Sequence, residues 1–248
     1  MSKTASLSFA VMAYAVFFAT FLYLIAFTGD LPWVARTVDR GPASGPQLAA
    51  AIDLALIALF GIQHSVMARR GFKRAWTRIV PKQAERSVYV LAASLTLIVL
   101  FAFWRPIPGT LWSATGTLAI VLWALFGIGW ALVLLSTFLI NHFELFGLQQ
   151  VWFHTRGREA AVPTLRQPLV YKLVRHPLYS GFLIAFWATP HMSYGHLLLA
   201  AGMSVYVLIA IQHEERDLVA MFGREYEDYR QRVGMLAPRF GGGGSPLT

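Results

Sequence analysis

The chain of 248 residues contains no cysteine. That excludes disulfides, iron–sulfur clusters, thiolate-bound zinc and a cysteine nucleophile. It is also poor in charge: 13% of residues are charged and only 12 are acidic, against 56% hydrophobic and a mean hydropathy of +0.54. A soluble fold carries about 25% charged residues. Too little polar surface exists here to cover one, so the composition indicates an integral membrane protein. No strand followed by a glycine-rich dinucleotide fingerprint is present, nor any His-x-x-x-His or His-Glu-x-x-His spacing, so neither a Rossmann site nor a metal centre is expected. The net charge of +9 would point a soluble protein toward nucleic acid. In a membrane protein its placement reports topology instead, and no nucleic-acid partner is expected.

A membrane span needs about 20 apolar residues. Five stretches approach or exceed that length: Leu7–Phe27, Leu48–Met67, Val88–Trp104, Leu111–Ile140 and the long region Leu178–Gln212. The last is interrupted by Thr189-Pro190-His191 and Gly195, and reads as two shorter helices, Leu178–Ala188 and His196–Gln212, folded back as a hairpin. Five full spans and six unequal ones both fit, with six segments favoured. The expected fold class is all-α, a polytopic membrane helical bundle. Its first stretch is too long for a signal peptide. No internal repeat is visible. Residues 1–140 form the N-terminal helices and 141–240 a second region. In the tail, 241–248, Gly241-Gly242-Gly243-Gly244-Ser245 reads as a flexible linker or an appended remnant.

The basic residues set the orientation. Arg69, Arg70, Lys73, Arg74, Arg78, Lys82 and Arg86 follow the second stretch. Arg156, Arg158, Arg166, Lys172 and Arg175 follow the fourth, and Arg216, Arg224, Arg230, Arg232 and Arg239 follow the fifth. With Lys3 they leave only Arg36, Arg40 and Arg105 for the opposite side. By the positive-inside rule both termini and the two large loops are expected in the cytoplasm.

Ionisable groups in or beside spans are costly and mark functional candidates. His64, His142, His176 and His213 all fall at expected cytoplasmic span ends, while His191 and His196 fall at the hairpin turn. Any one of them reads equally well as an interfacial ring, but four on one face suggest a site. In Arg175-His176-Pro177-Leu178-Tyr179-Ser180-Gly181, Pro177 suits the first turn of a helix and turns His176 out of helical geometry. Gly181 leaves room for a ligand or a neighbouring helix. Beyond the hairpin, His213-Glu214-Glu215-Arg216-Asp217 gathers carboxylates at the boundary, where Glu214 reads as a ligand or ion-pair partner. Leu218, Phe222, Tyr226 and Tyr229 then form the apolar stripe of an amphipathic helix.

Arg175-His176-Pro177-x-Tyr179-x-Gly181, a hairpin, Glu214-Glu215-x-x-Leu218 and Phe222-Gly223-x-x-Tyr226-x-x-Tyr229 together resemble the membrane methyltransferase superfamily of isoprenylcysteine carboxyl and phospholipid methyltransferases. The resemblance covers about the last 75 residues before the tail. It implies an S-adenosylmethionine pocket facing the cytoplasm within 141–240, without a Rossmann sheet. The implied contacts are Arg175, His176, Pro177, Tyr179, Gly181, Glu214 and Glu215, with Tyr171 and Leu173 adjacent. Upstream, Gln63-His64-Ser65-x-Met67-Ala68-Arg69, Glu85-Arg86-Ser87-x-Tyr89 and Asn141-His142-Phe143-Glu144-Leu145-Phe146-Gly147-Leu148-x-Gln150 look like the bacterial methanethiol S-methyltransferases and their nitrogen-oxide-associated relatives. That implies methylation of a small thiol to dimethyl sulfide in a bacterial inner membrane, with S-adenosylhomocysteine as the other product.

Such chemistry needs a thiolate in line with an activated methyl. His142 is the first candidate base, because an imidazole titrates near ~6.5, and His64 is the second. Glu144 is placed to orient one of them, and Arg69 or Arg86 to favour a thiolate by charge. Trp123, Trp130 and Trp152 read as packing or interfacial belt rather than a sulfonium cage. Two other readings remain open at this point: a lipid or isoprenylated carboxylate acceptor, and a haem- or ion-handling protein using span-end histidines.

Overall fold

A backbone crossing lipid must satisfy its N–H and C=O groups within its own segment, so the long apolar runs become helices. The structure, a computed structural model, describes residues 2–158 and 164–239; the glycine-rich tail lies outside the described residues. Among the described residues five helices are long and apolar enough to span a membrane: α1 (Lys3–Thr28), α2 (Pro46–Ala68), α4 (Glu85–Phe103), α5 (Gly116–Ile140) and α9 (Tyr194–Phe222). Between or after them lie the shorter α3 (Arg70–Trp76), α6 (His142–Leu145), α7 (Leu148–Thr155), α8 (Pro177–Trp187) and α10 (Arg224–Arg232). The chain is thus a polytopic helical membrane protein.

Local chemistry starts these helices where they start. Ser2 Oγ accepts the Ala5 N–H and Ser193 Oγ accepts the His196 N–H, while Pro46 and Pro177 occupy first-turn positions that need no donor. Within the spans, the hydroxyls of Thr20, Ser94, Ser136 and Ser204 donate to the carbonyl four residues earlier, so none is left bare in lipid.

The expected hairpin is present, and its short arm is α8. Eleven residues rise only about 16 Å, roughly half a hydrocarbon core. A two-stranded antiparallel pair shows how far the chain then travels: β1 (Thr110–Ser113), between α4 and α5, pairs with β2 (His191–Ser193), which follows α8. The far end of α8 therefore reaches the end of the bundle opposite the basic loops, and its start, at His176, is recessed from the basic end. Helix α9 has 29 residues, a rise of about 43 Å, so it crosses and projects beyond. It runs through His213–Asp217 and stops at Gly223, whose φ is +56°.

Two boundaries differ from the sequence reading. Leu111 and Trp112, expected to open the fourth span, are in β1, and α5 begins only at Gly116. Strand pairing accounts for this, continued by Ala114 N–H donating to the Pro190 carbonyl at 2.8 Å. The all-α expectation holds apart from this small ribbon. The fifth region continues as helix past Gln212, because the charged run stays within one long helix clear of lipid.

Aromatic rings fill the core. Trp130 stands edge-on to Phe21, Phe182 and Phe186, with centroids 5.6, 5.7 and 6.1 Å away. Helices α5 and α8 approach backbone to backbone: a Cβ on Gly181 would lie 2.7 Å from the Gly129 carbonyl oxygen and 2.8 Å from Val133 N. Small residues that let helices touch are the usual glue inside a membrane. His196, expected at the turn, is buried and its Nε2 meets the Phe186 carbonyl at 2.9 Å, a core role.

Candidate functional site

Because α8 starts deep and α9 runs past it, the Arg175-His176 segment faces the Glu214-Glu215 turn of α9. Arg175 Nη2 lies 2.8 Å and His176 Nε2 3.2 Å from the same Glu215 oxygen. Both Arg175 and Glu215 are largely buried, at 9% and 14% side-chain exposure, so this is a desolvated pair rather than a surface one. Glu214 is different. Its side chain is 45% exposed and its carboxylate is 4.0 Å from His176 Nδ1, with Tyr179 beside it.

The chain after α10 straps this segment in place. Arg175 and His176 donate their backbone N–H groups to the Gly234 and Met235 carbonyls at 2.8 and 3.1 Å, and Ser180 Oγ donates to the Leu236 carbonyl at 2.8 Å. The Arg175 guanidinium also donates to the Arg230 and Val233 carbonyls. Tyr171, in the 3-10 turn Leu169–Lys172, braces the region from below. Its hydroxyl donates to the Ser136 carbonyl at 3.3 Å, and its own carbonyl accepts the Tyr229 hydroxyl at 2.5 Å. Burial pushes the Tyr171 and Tyr226 phenols up and the Tyr229 phenol to about 12, so all three remain donors. The Tyr226 hydroxyl, in a residue 1% exposed and near Arg175 and Glu215, has no hydrogen-bond partner among the described residues.

A second group of polar and aromatic side chains joins this cluster from α2, α4 and α9. The His64 ring sits 4.9 Å from Tyr89, 5.2 Å from Phe60 and 6.1 Å from Tyr206, centroid to centroid. Its Nδ1 is buried with no partner among the described residues. Gly61 makes room for Tyr206, since a Cβ there would lie 3.1 Å from that ring. Tyr179 lies near Tyr206, Tyr89 and the Glu214 carboxylate, so the two groups are neighbours. Arg69 caps α2 beside Tyr206.

The structure sets other expected residues elsewhere. His142 shares one hydrogen bond with the Tyr14 hydroxyl and another with Thr137 Oγ1, each 2.8 Å, and stacks on Phe138 at 4.1 Å. Both ring nitrogens are used. Burial pushes its pKa down, which suits a neutral packing histidine. Glu144 accepts from Asn141 Nδ2 at 2.9 Å at an exposed corner rather than orienting an imidazole. Gly181 gives its room to α5, Leu173 is exposed, and Pro177 is a buried helix start. Trp130 is in the core, whereas Trp123 and Trp152 are partly exposed.

Tyr206 and Tyr226 were not nominated from the sequence. Tyr206 is a lone phenol in an aliphatic run two helical turns before Glu214, which is a readable signal; Tyr226 was legible only as part of an apolar stripe. An open cleft of about 630 Å³ lies at the opposite end, lined by Asp39, Arg40, Ser44, Pro106, Gly109 and His191 among others. Its arginine is already paired with Asp30 at 2.9 Å, and among the described residues the Ser44 hydroxyl is the one side-chain group of its lining that is buried without a hydrogen-bond partner. Among the described residues no three His, Asp or Glu side chains are grouped to hold a metal ion.

Comparison with known proteins follows the same lines. Residues 54–240 match the family model described as NnrU protein. The chain is 52% identical over 231 residues to "Methanethiol S-methyltransferase 1" of Bradyrhizobium diazoefficiens, covering 93% of this chain and 81% of that protein. It is 48% identical over 239 residues to "Methanethiol S-methyltransferase" of Mycobacterium tuberculosis, covering 96% and 98%. More distantly it is 31% identical over 195 residues to human "Nurim", covering 75% and 72%. No solved structure matches it.

Proposed function

From a chain that belongs to the NnrU protein family and is homologous over nearly its whole length to enzymes named methanethiol S-methyltransferase, we propose a membrane enzyme that methylates methanethiol to dimethyl sulfide, with S-adenosylmethionine as donor. The geometric observation that most supports it is His64: a half-buried imidazole whose Nδ1 is enclosed with no partner among the described residues, packed against the Phe60 and Tyr89 rings. By the positive-inside rule we place the basic end, both termini and the donor site on the cytoplasmic face of a bacterial inner membrane.

The residues present fit such a donor. Its ammonium, carboxylate and sulfonium groups need charges of both signs, and the unpartnered Tyr226 hydroxyl and the half-exposed Glu214 carboxylate supply contacts not already spent inside the fold. Glu215 and Arg175 hold the segment in shape, while Glu214, His176, Tyr179 and Tyr226 hold the donor. Residues 171–236 thus carry the donor site, and α2 and α4 carry the acceptor site. When bound, S-adenosylmethionine supplies a methyl group already activated on a positively charged sulfur.

The protein must then supply position and a thiolate. Methanethiol is small and uncharged, and the Phe60, Tyr89 and Tyr206 rings form a pocket of matching character. His64 takes the thiol proton. The freed sulfur electron pair forms the new carbon–sulfur bond as the bond to the sulfonium breaks. The balance is methanethiol plus S-adenosylmethionine going to dimethyl sulfide, S-adenosylhomocysteine and one proton, which His64 returns to solvent. His142, with both nitrogens engaged, serves packing.

The test is headspace gas chromatography on purified protein in detergent. Dimethyl sulfide is expected only when donor and methanethiol are both supplied. Product from a lipid or isoprenylated acceptor, with none from methanethiol, would overturn the acceptor assignment.

A further inference from the structure

We propose that Arg86 is a catalytic residue that stabilises the acceptor sulfur as a thiolate beside His64, and that the turn around Gly147 aims it. This rests on the methyl-transfer reading above and adds to it the group that makes a weakly acidic thiol reactive near neutral pH.

Arg86 lies in the first turn of α4, where its Nε donates to the Leu145 carbonyl at the end of α6, at 2.7 Å. That carbonyl occupies Nε and leaves the two terminal nitrogens of the guanidinium without a hydrogen-bond partner among the described residues. The guanidinium carbon stands 5.1 Å from the centroid of Tyr89, the ring that also touches His64. No carboxylate pairs with Arg86 within 4.0 Å among the described residues, in contrast to Arg175, which Glu215 neutralises. A guanidinium does not lose its proton in proteins. It therefore presents a fixed positive charge beside the aromatic ring that packs on His64, and such a charge, away from bulk water, acts strongly on a developing anion.

The support for Arg86 is built with little tolerance. Gly147 has φ +88°, a left-handed geometry that favours glycine. A Cβ there would lie 2.7 Å from Ser87 N and Oγ, so the turn rests directly on the first turn of α4. Ser87 Oγ also reaches the Gly147 carbonyl at 3.4 Å. Two stretches far apart in sequence, Glu85–Tyr89 and Asn141–Gly147, thus form one device whose product is the position of a guanidinium. The other charged or titratable groups facing it are Lys73 from α3, Glu85 from α4, His64 from α2, and Tyr206 and Glu214 from α9 by way of Tyr89. Glu85 is its sequence neighbour and Lys73 adds a second positive charge, so Glu85 alone does not cancel the field.

The test compares methanethiol with 2,2,2-trifluoroethanethiol, a small thiol acidic enough to ionise substantially without help. Wild-type protein must first form dimethyl sulfide; if it does not, both the methyl-transfer reading and this inference fall. Given that activity, Arg86→Gln is expected to lose about 100-fold in kcat/KM with methanethiol but less than about 10-fold with the acidic thiol. Donor Kd and Tm are expected to stay near wild type. Arg86→Lys, which keeps the charge without the fork, should lie between, and Gly147→Ala should show the same thiol-dependent loss in milder form. Equal losses with both thiols, or a loss confined to donor affinity and Tm, would reduce Arg86 to a tie between α4 and the turn.

Discussion

Arg175 and Glu215 meet at 2.8 Å across the junction of α8 and α9, nearly out of contact with solvent. Breaking a buried pair by removing one partner costs about 3–5 kcal/mol because the other charge is stranded. Glu215→Gln is therefore expected to lower Tm markedly and to weaken S-adenosylmethionine binding at least tenfold. Glu214→Gln, at a half-exposed carboxylate, should weaken donor binding with little change in Tm. Thermal melts and donor titrations on the two variants separate these roles, and equal Tm losses would contradict the division.

His64 and His142 were the two candidate bases, and the structure gives them opposite surroundings. His64→Gln is expected to lower kcat/KM for methanethiol about 100-fold, within the range general-base loss produces, with donor Kd unchanged. His142→Gln should leave turnover per folded molecule near wild type while lowering stability. A full loss of turnover in folded His142→Gln would restore it as base.

The same His142 carries a pH prediction. Its folded pKa lies below the ordinary imidazole value of ~6.5 because burial disfavours the charge. On acidification the unfolded chain takes up the proton first, so this contribution is present above about 6.5 and lost as pH falls. Wild-type Tm should drop below that pH, and His142→Gln should show a shallower drop, read by melts from pH 8 to 5.

At the alkaline side the sign reverses. Tyr229 donates its hydroxyl to the Tyr171 carbonyl, and its phenol is raised to about 12 by burial. A raised phenol gives stability that is full below the unfolded value of ~10 and lost as pH rises toward 12. Tyr229→Phe is expected to cost about 1 kcal/mol near neutrality, as for one hydrogen bond, and to flatten the alkaline loss of Tm. An unchanged alkaline profile would place the titrating group elsewhere.

Helix contact makes a further prediction. A methyl group at position 181 would press on the Gly129 carbonyl and Val133. Gly181→Ala should destabilise by about 1–3 kcal/mol, as overpacking does, with donor Kd in the folded fraction unaltered. Reduced donor affinity at constant Tm would instead put Gly181 in the donor site.

Spans, hairpin and charge asymmetry were legible because lipid imposes length and polarity rules that act locally on sequence. The six-segment reading depended on Thr189-Pro190-His191, and strand pairing next to that turn ties the chain after the short α8 to Thr110–Ser113. Arg175, His176 and Glu215 were legible as a motif. The division of labour between Glu214 and Glu215 was not, since adjacent carboxylates on a helix point about 100° apart and only packing decides which is enclosed. The surroundings of His142 were not legible, because a histidine at a span end has the same sequence signal whether or not Tyr14 and Thr137 occupy its nitrogens. Tyr206 acquires meaning only when α2 and α9 close around His64, and Arg86, read from the sequence alongside Arg69 as a charge for the thiolate, is set apart from Arg69 only by its contacts with the Leu145 carbonyl and the Tyr89 ring.

The most direct test supplies purified protein with methanethiol and S-adenosylmethionine whose transferable methyl is fully deuterated, and analyses the headspace by mass spectrometry. Dimethyl sulfide carrying one intact deuterated methyl, and absent from His64→Gln at matched donor binding, is the predicted result. Donor-bound, folded wild-type protein that yields no labelled dimethyl sulfide would contradict methyl transfer to methanethiol by this chain.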